Sequence, residues 1–175
     1  IEEVVNAAQR QQDIETKLNQ IKLDWGPSGH RFVLGTFKNR GNLMLKDMGE
    51  ILQEMEDAQL MLSGLVANMF NKPFKKEIQE WLKRLTVTQT VIDDWLKVQA
   101  LWVYLEAVFT GGDIAKELPT VAKRFSNVDR SWVKIMTTVE AEPNIVKMCY
   151  SNEMLRELLP HLKENLEKCQ KSLSG

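Results

Sequence analysis

From Phe74 to Phe109 a single stripe of residues alternates strictly in steps of four and three: Phe74, Ile78, Trp81, Leu85, Thr88, Ile92, Trp95, Gln99, Trp102, Glu106 and Phe109. No strand repeats at that interval, so the spacing predicts one uninterrupted helix with an apolar seam. About 35 residues at ~1.5 Å each give a rod of roughly 50 Å. A compact domain of this length has a radius of gyration of about 16 Å, so the molecule should be elongated along this helix. Asn71 as N-cap and Pro73 in the first turn mark its start, and Gly111-Gly112 its end. Only Thr88, Gln99 and Glu106 are polar on the seam. The three Trp residues read as anchors of a bundle core, the alternative being a partly exposed docking seam. A carboxylate on such a stripe needs a partner, because burying it alone costs several kcal/mol. Arg124, on the helix that would fold back, is a candidate.

The rest of the chain must supply the elements that cover this helix. Apolar positions at threes and fours predict helices over 1–23, 48–68, 120–140 and 152–172. Gly26-Pro27-Ser28-Gly29 ends the first of these, and Ser151 is placed to cap the last. Between 31 and 46, RFVLGTF and NLMLK flank Lys38-Asn39-Arg40-Gly41, the composition of two short strands and a turn. A lone hairpin is marginal in water, so this one must pack on helices. Asp113 caps a short turn over DIAKEL before Pro119. Cys149 and Tyr150 fall in a link opened by Pro143. Pro160 is expected to kink or interrupt the last helix, which presents Leu155, Leu158, Leu162, Leu166, Cys169 and Leu173. The expected fold is therefore mainly α: an elongated helical bundle with one long central helix and a small β-hairpin at 31–46.

Charge and composition exclude several functions. Lys and Arg number 23 against 24 Asp and Glu, a net charge of -1, so no overall field recruits nucleic acid or an anionic membrane. No apolar run approaches the roughly 18 to 20 residues that span a bilayer. The basic strip Lys75-Lys76 and Lys83-Arg84 is interrupted by Glu77 and Glu80. There is no phosphate-binding G-x-x-x-x-G-K-[ST] motif. His30 and His161 have no Cys or His at metal-ligand spacing, and Glu157 with His161 reads as a surface pair. Asp93 and Asp94 point about 100° apart on a helix and do not share a proton. Cys149 and Cys169 read as free, buried or half-buried thiols. No nucleophile–base pair is visible, so no catalysis, metal or cofactor is expected in these residues. The chain starts without Met inside a helical pattern and ends on KSLSG, and is read as a section of a longer polypeptide.

The stretch from Trp95 to Met136 carries a more specific signal. It contains W-x-x-V-Q-x-x-W-x-Y-L-E-x-x-F (Trp95, Val98, Gln99, Trp102, Tyr104, Leu105, Glu106, Phe109), then Asp113-Ile114 and Leu118-Pro119. F-x-x-V-D-x-x-W-x-x-I-M follows (Phe125, Val128, Asp129, Trp132, Ile135, Met136). This combination closely resembles the N-terminal linker region of dynein heavy chains. The flanks agree more loosely: Ile1 to Trp25 resembles the family's incoming helix, and VLGTFKNRGNLMLKDMGEILQEMEDAQLML looks more like axonemal heavy chains than the cytoplasmic one. The C-terminal LRELLPHLKENLEKCQKSLSG fits the family's helix at that point.

The resemblance implies a mechanical role. In that family the linker lies across a ring of AAA+ modules and bends and straightens as ATP is hydrolysed. ATP and Mg²⁺ sites, stalk and microtubule-binding domain lie elsewhere in the chain, so this segment should bind no nucleotide. The implied partners are the ring of the same heavy chain and other dynein subunits, with microtubules reached only through other parts. The implied location is the cytoplasm and cytoskeleton, in the axoneme of a cilium or flagellum. On this reading Trp81, Trp95, Trp102, Phe109, Phe125 and Trp132 hold the lever's helices together, and Gln99 and Glu106 pin their register by hydrogen bonds. The rival is a free-standing scaffold, such as a spectrin-like bundle that binds a protein partner. The hairpin and the uneven helix lengths fit a three-helix repeat poorly.

Overall fold

The computed structural model describes residues 2–37, 42–110 and 114–174. Their order is α1 (Glu2–Trp25), β1 (Val33–Phe37), β2 (Asn42–Lys46), α2 (Met48–Ala67), α3 (Lys75–Thr110), α4 (Ile114–Glu117), α5 (Pro119–Ala141), α6 (Ile145–Tyr150) and α7 (Glu153–Ser174). The mainly helical bundle with a long central helix and a small hairpin is as expected. The expected turn at 38–41, the Gly111-Gly112 stop and the Asp113 cap lie outside the described residues.

Helix α3 is the axis of the molecule, 36 residues and therefore about 54 Å long at ~1.5 Å per residue. It packs most extensively on α7 and α2, and also on α6, α4, α5 and β2. Along the seam Ile78, Leu85, Thr88, Ile92, Trp95, Gln99, Trp102 and Glu106 are all buried, whereas Phe74, Trp81 and Phe109 are half-buried. A second buried stripe, Val91, Val98 and Leu105, repeats every seven residues beside the first. Its presence makes α3 a helix packed on two sides rather than along one edge.

Around this axis α1 buries Ile14, Leu18, Ile21 and Trp25, and α2 buries Met48, Met55, Ala58, Leu62 and Leu65. Helix α5 begins with Pro119 at its first position, where the missing N–H is harmless. It turns Phe125, Val128, Trp132, Ile135, Met136 and Val139 inward.

Four local expectations are corrected. Asn71 does not cap α3: its side-chain amide donates to the carbonyls of Leu65 and Val66, both at 2.8 Å. It thus serves the end of α2, whose last carbonyls have no partners within the helix. The link after Pro143 is the helix α6, started by Asn144, whose side chain accepts from the Lys147 N–H at 2.9 Å. Asn152 rather than Ser151 sits at the start of α7, accepting from the Leu155 N–H at 3.1 Å. Finally, α7 runs through Pro160 without interruption. Pro160 is exposed, while Leu155, Leu159, Leu162 and Leu166 are buried. Four buried leucines at ~1.5–3 kcal/mol each outweigh the ~3 kcal/mol cost of an internal proline.

Candidate functional site

The seam residues converge on the hairpin. β1 and β2 pair antiparallel with Leu34 opposite Leu45 and Thr36 opposite Leu43. In such a ladder alternate residues direct their N–H and C=O groups away from the partner strand. On β2 these are Leu43 and Leu45, and both are met by helices. The Gln99 side-chain oxygen accepts from the Leu45 N–H at 2.7 Å, and its amide nitrogen donates to the Leu45 carbonyl at 3.0 Å. One step along the same edge, Trp132 Nε1 donates to the Leu43 carbonyl at 3.1 Å. Side chains from α3 and α5 thus take the place of a third strand. An edge otherwise open to pairing is closed, and the hairpin's register on the bundle is fixed.

The aromatic residues form the apolar half of this junction. Trp102 and Trp132 stack at 5.5 Å and 17°, and Trp102 Nε1 donates to Asp129 Oδ1 on α5 at 2.8 Å. Phe109 stacks on Phe125 at 5.2 Å and 22°. Trp95 meets Phe32, just before β1, at 5.0 Å and 59°. Trp95, Trp102 and Trp132 are completely buried. Glu106 is also buried and has an interaction partner within the fold.

Trp81 departs from the expected core role. It is half-buried, under the guanidinium of Arg84 at 4.8 Å from its ring centroid. It lines a cleft with Trp25, Pro27 and Tyr150. Two further seam groups, Thr88 Oγ1 and Trp95 Nε1, are buried without a hydrogen-bond partner.

A second junction was not legible in the sequence. Asn144 Nδ2 donates to the Gly26 carbonyl at 2.8 Å, while its Oδ1 caps α6. Beside it the Phe32 N–H donates to the Pro143 carbonyl at 2.8 Å, and the Ile145 N–H to the His30 carbonyl at 3.2 Å. These bonds tie the α1–β1 loop to the α5–α6 loop across 118 positions of sequence. The loop is tight: a Cβ on Gly29 would lie 2.1 Å from the Asp24 carbonyl oxygen. Asn144 after a proline was a possible cap signal, but no local pattern names the carbonyl it reaches. Asp129 likewise stood within the family motif without an assigned role.

The remaining candidates are scattered. His30 Nε2 lies 2.7 Å from Glu54 Oε2 and its ring 4.5 Å from Trp25. His161 is exposed between α5 and α7. Asp93 is exposed and Asp94 half-buried on α3. Among the described residues no group of three His, Cys, Asp or Glu side chains is arranged to hold a metal ion, and no helix is long and apolar enough to cross a membrane. Cys149 and Cys169 are both free and buried. Burial drives the Cys149 thiol far above its ordinary value. Burial raises Cys169 too, an effect that the Arg124 guanidinium opposes.

The geometry is that of a helical packing unit, in which a long helix is locked to a hairpin and to a second helix by stacked indoles and directional hydrogen bonds. The whole chain, residues 1–175, matches the family Dynein heavy chain, N-terminal region 2, and it belongs to that family. It is 48% identical over its full length to dynein axonemal heavy chain 8 of Homo sapiens, of which it covers 4%. It is 47% identical to dynein axonemal heavy chain 5 of Rattus norvegicus, covering 5% of that chain. It is 43% identical to the dynein gamma chain of the flagellar outer arm of Chlamydomonas reinhardtii, covering 4%. The chain therefore spans about one part in twenty to twenty-five of the length of these relatives.

Proposed function

We propose that this segment is a mechanical linker of an axonemal dynein heavy chain. It changes position on the AAA+ ring of the same polypeptide as ATP is hydrolysed, and so drives microtubule-based movement in a cilium or flagellum. ATP and Mg²⁺ are handled by other parts of the chain, other dynein subunits assemble around it, and microtubules are met elsewhere. The observation that carries this reading is the pair of pins on β2, Gln99 to Leu45 and Trp132 to Leu43. A lever transmits force only if its elements do not slide past one another. Apolar packing alone resists separation better than sliding, whereas directional bonds between helix and strand oppose both.

The test is a full-length heavy chain carrying Gln99→Leu, assayed for ATP turnover and microtubule gliding. Turnover should be retained while gliding slows, because hydrolysis would be uncoupled from displacement. Gliding at the wild-type rate in a chain whose hairpin has demonstrably loosened would sink the proposal.

A further inference from the structure

Of the five Trp residues, Trp25, Trp95, Trp102 and Trp132 are buried, and Trp81 alone is left half-covered. It lines a cleft of about 290 Å³ where the end of α1, α3 and α6 meet. The floor of that cleft, Trp25, Gly26, Asn144 and Val146, is buried, and the Asn144 amide is already engaged at both ends. What stays reachable are the half-buried Trp81, Arg84 and Tyr150 and the exposed Pro27, Lys147 and Ser151. Trp, Tyr and Arg are the residue types on which interfaces concentrate their binding energy. The groove between α5 and α7 is also cationic, but its lining holds no Trp, Tyr or Phe. Arg84 is held ready for a ligand. Its guanidinium lies over two rings, 4.8 Å from the Trp81 centroid and 5.9 Å from that of Tyr150. Stacking by its face leaves the edge N–H groups to grip a carboxylate in bidentate fashion. Among the described residues no carboxylate pairs with Arg84, and no Asp or Glu lines the cleft. Its second cation, Lys147, meets Glu142 at 3.2 Å in a solvent-exposed pair, which is weak and exchangeable.

We propose that this cleft binds a separate protein, through a large apolar side chain with a carboxylate close by on the same segment. The apolar side chain would enter between Trp81, Pro27 and Tyr150, and the carboxylate would pair with Arg84 and Lys147. The volume lies just under the roughly 300 Å³ at which small-molecule pockets begin, so the cleft suits a side chain better than a cofactor. A partner that is not tethered must offset its lost translational and rotational freedom. Partly desolvated Trp, Tyr and Arg anchors supply that. A tethered segment, at an effective concentration on the order of millimolar, holds without them. The site is independent of the lever role.

A diazirine amino acid at Ser151, exposed at the rim, traps what covers the cleft in the full-length heavy chain assembled in the axoneme. Mass spectrometry then maps the product. The expected product joins position 151 to a separate protein, within about four residues of both a Phe, Trp, Leu or Met and an Asp or Glu. A synthetic peptide of the trapped segment should bind the full-length heavy chain, and at least about thirtyfold more weakly with Trp81→Ala or Arg84→Glu. Should Trp81→Ala disturb folding, Lys147→Glu, at an exposed position, should still lower affinity about fivefold. A product within the same heavy chain or with a second copy of it overturns the proposal. So do a trapped segment lacking either group, a peptide that does not bind or is indifferent to these substitutions, and no product at all. Gliding assays report separately on the lever, so either reading can fail alone.

Discussion

The side-chain amide of Gln99 closes a two-bond ring with the backbone of Leu45, accepting from its N–H at 2.7 Å and donating to its carbonyl at 3.0 Å. Only a primary amide, neutral and carrying donor and acceptor side by side, makes both bonds at once. Gln99→Leu keeps the volume but leaves two backbone groups without partners in a buried junction. It should lower stability by about 2 kcal/mol or more. Urea unfolding of the wild-type and variant chains measures this. An unchanged midpoint would mean that water replaces Gln99 at no cost and that the hairpin is not held there.

Trp102 combines both kinds of interaction at one position. It is fully buried, stacked on Trp132 at 5.5 Å, and its indole N–H reaches Asp129 at 2.8 Å. Truncation to Ala should cost about 3 to 5 kcal/mol. Thermal melts of Trp102→Ala that matched the wild type would remove this residue from the core.

The contrast between these two residues and Asn144 shows what a sequence can carry. The four-three rhythm depends only on helix geometry, so the buried run from Leu85 to Glu106 was readable residue by residue. Polar residues interrupting an apolar stripe are costly to bury without partners, which singled out Gln99 before its partner was known. The partner itself, a backbone edge 54 residues away, left no mark, because a carbonyl has no side-chain identity. The same applies to Asn144 and Gly26. Trp81 misled because its spacing is that of the seam, yet it lies near the beginning of α3. There it packs against the edge of the core and lines a cleft with Trp25, Pro27 and Tyr150, which leaves it half covered. Val91, Val98 and Leu105 were not read as a second buried stripe, although Val98 and Leu105 stood in the family motif, because a single-stripe reading assumes an edge helix, whereas a central helix buries two faces. Pro160 was judged by its local cost, which the leucines around it outweigh.

Asn144 offers a test of the second junction that separates capping from bridging. Asn144→Asp preserves the acceptor for the Lys147 N–H but removes the donor to the Gly26 carbonyl and sets a carboxylate against it in a site only 5% exposed. As a cap alone, Asp is as good as Asn. The substitution should nonetheless destabilise by about 2 kcal/mol, with faster hydrogen exchange at the Phe32 and Ile145 amides. If Asp were tolerated as well as a cap ranking predicts, the bond to Gly26 would contribute nothing.

Cys149 should be inert to alkylation in the native chain, because burial holds its thiol protonated and the thiolate is the reactive form. The same shift sets a pH dependence. The folded state retains the proton that an unfolded thiol gives up near pH ~8.5. This contribution to stability is therefore complete below that pH and declines as pH rises above it. Relative to Cys149→Ala, the wild-type chain should lose stability between pH 8 and 10. Native labelling by iodoacetamide at the rate of the unfolded chain would show that the thiol is not enclosed.

Thr88 supplies the prediction with the opposite sign. It lies on the seam between Leu85 and Ile92, is fully buried, and its Oγ1 has no hydrogen-bond partner. A threonine in a helix can bond the carbonyl one turn back, as Thr86 does to Leu82 at 2.7 Å and Thr90 to Thr86 at 3.1 Å. Thr88, between them, does not. Its hydroxyl therefore bears a desolvation cost without compensation, of about 1 to 3 kcal/mol on the scale of mutational data. Val has the same branched shape with a methyl in place of the hydroxyl, so no cavity or clash is introduced. Thr88→Val should raise the unfolding midpoint, by roughly 1 kcal/mol in stability after the loss of any residual polar contact. Thr90→Val, exposed and already bonded to its own helix, is the control and should change little. If Thr88→Val destabilised the chain while Thr90→Val did not, the hydroxyl at position 88 would be making a bond inside the seam, and the seam could not be the dry interface that its apolar spacing implies.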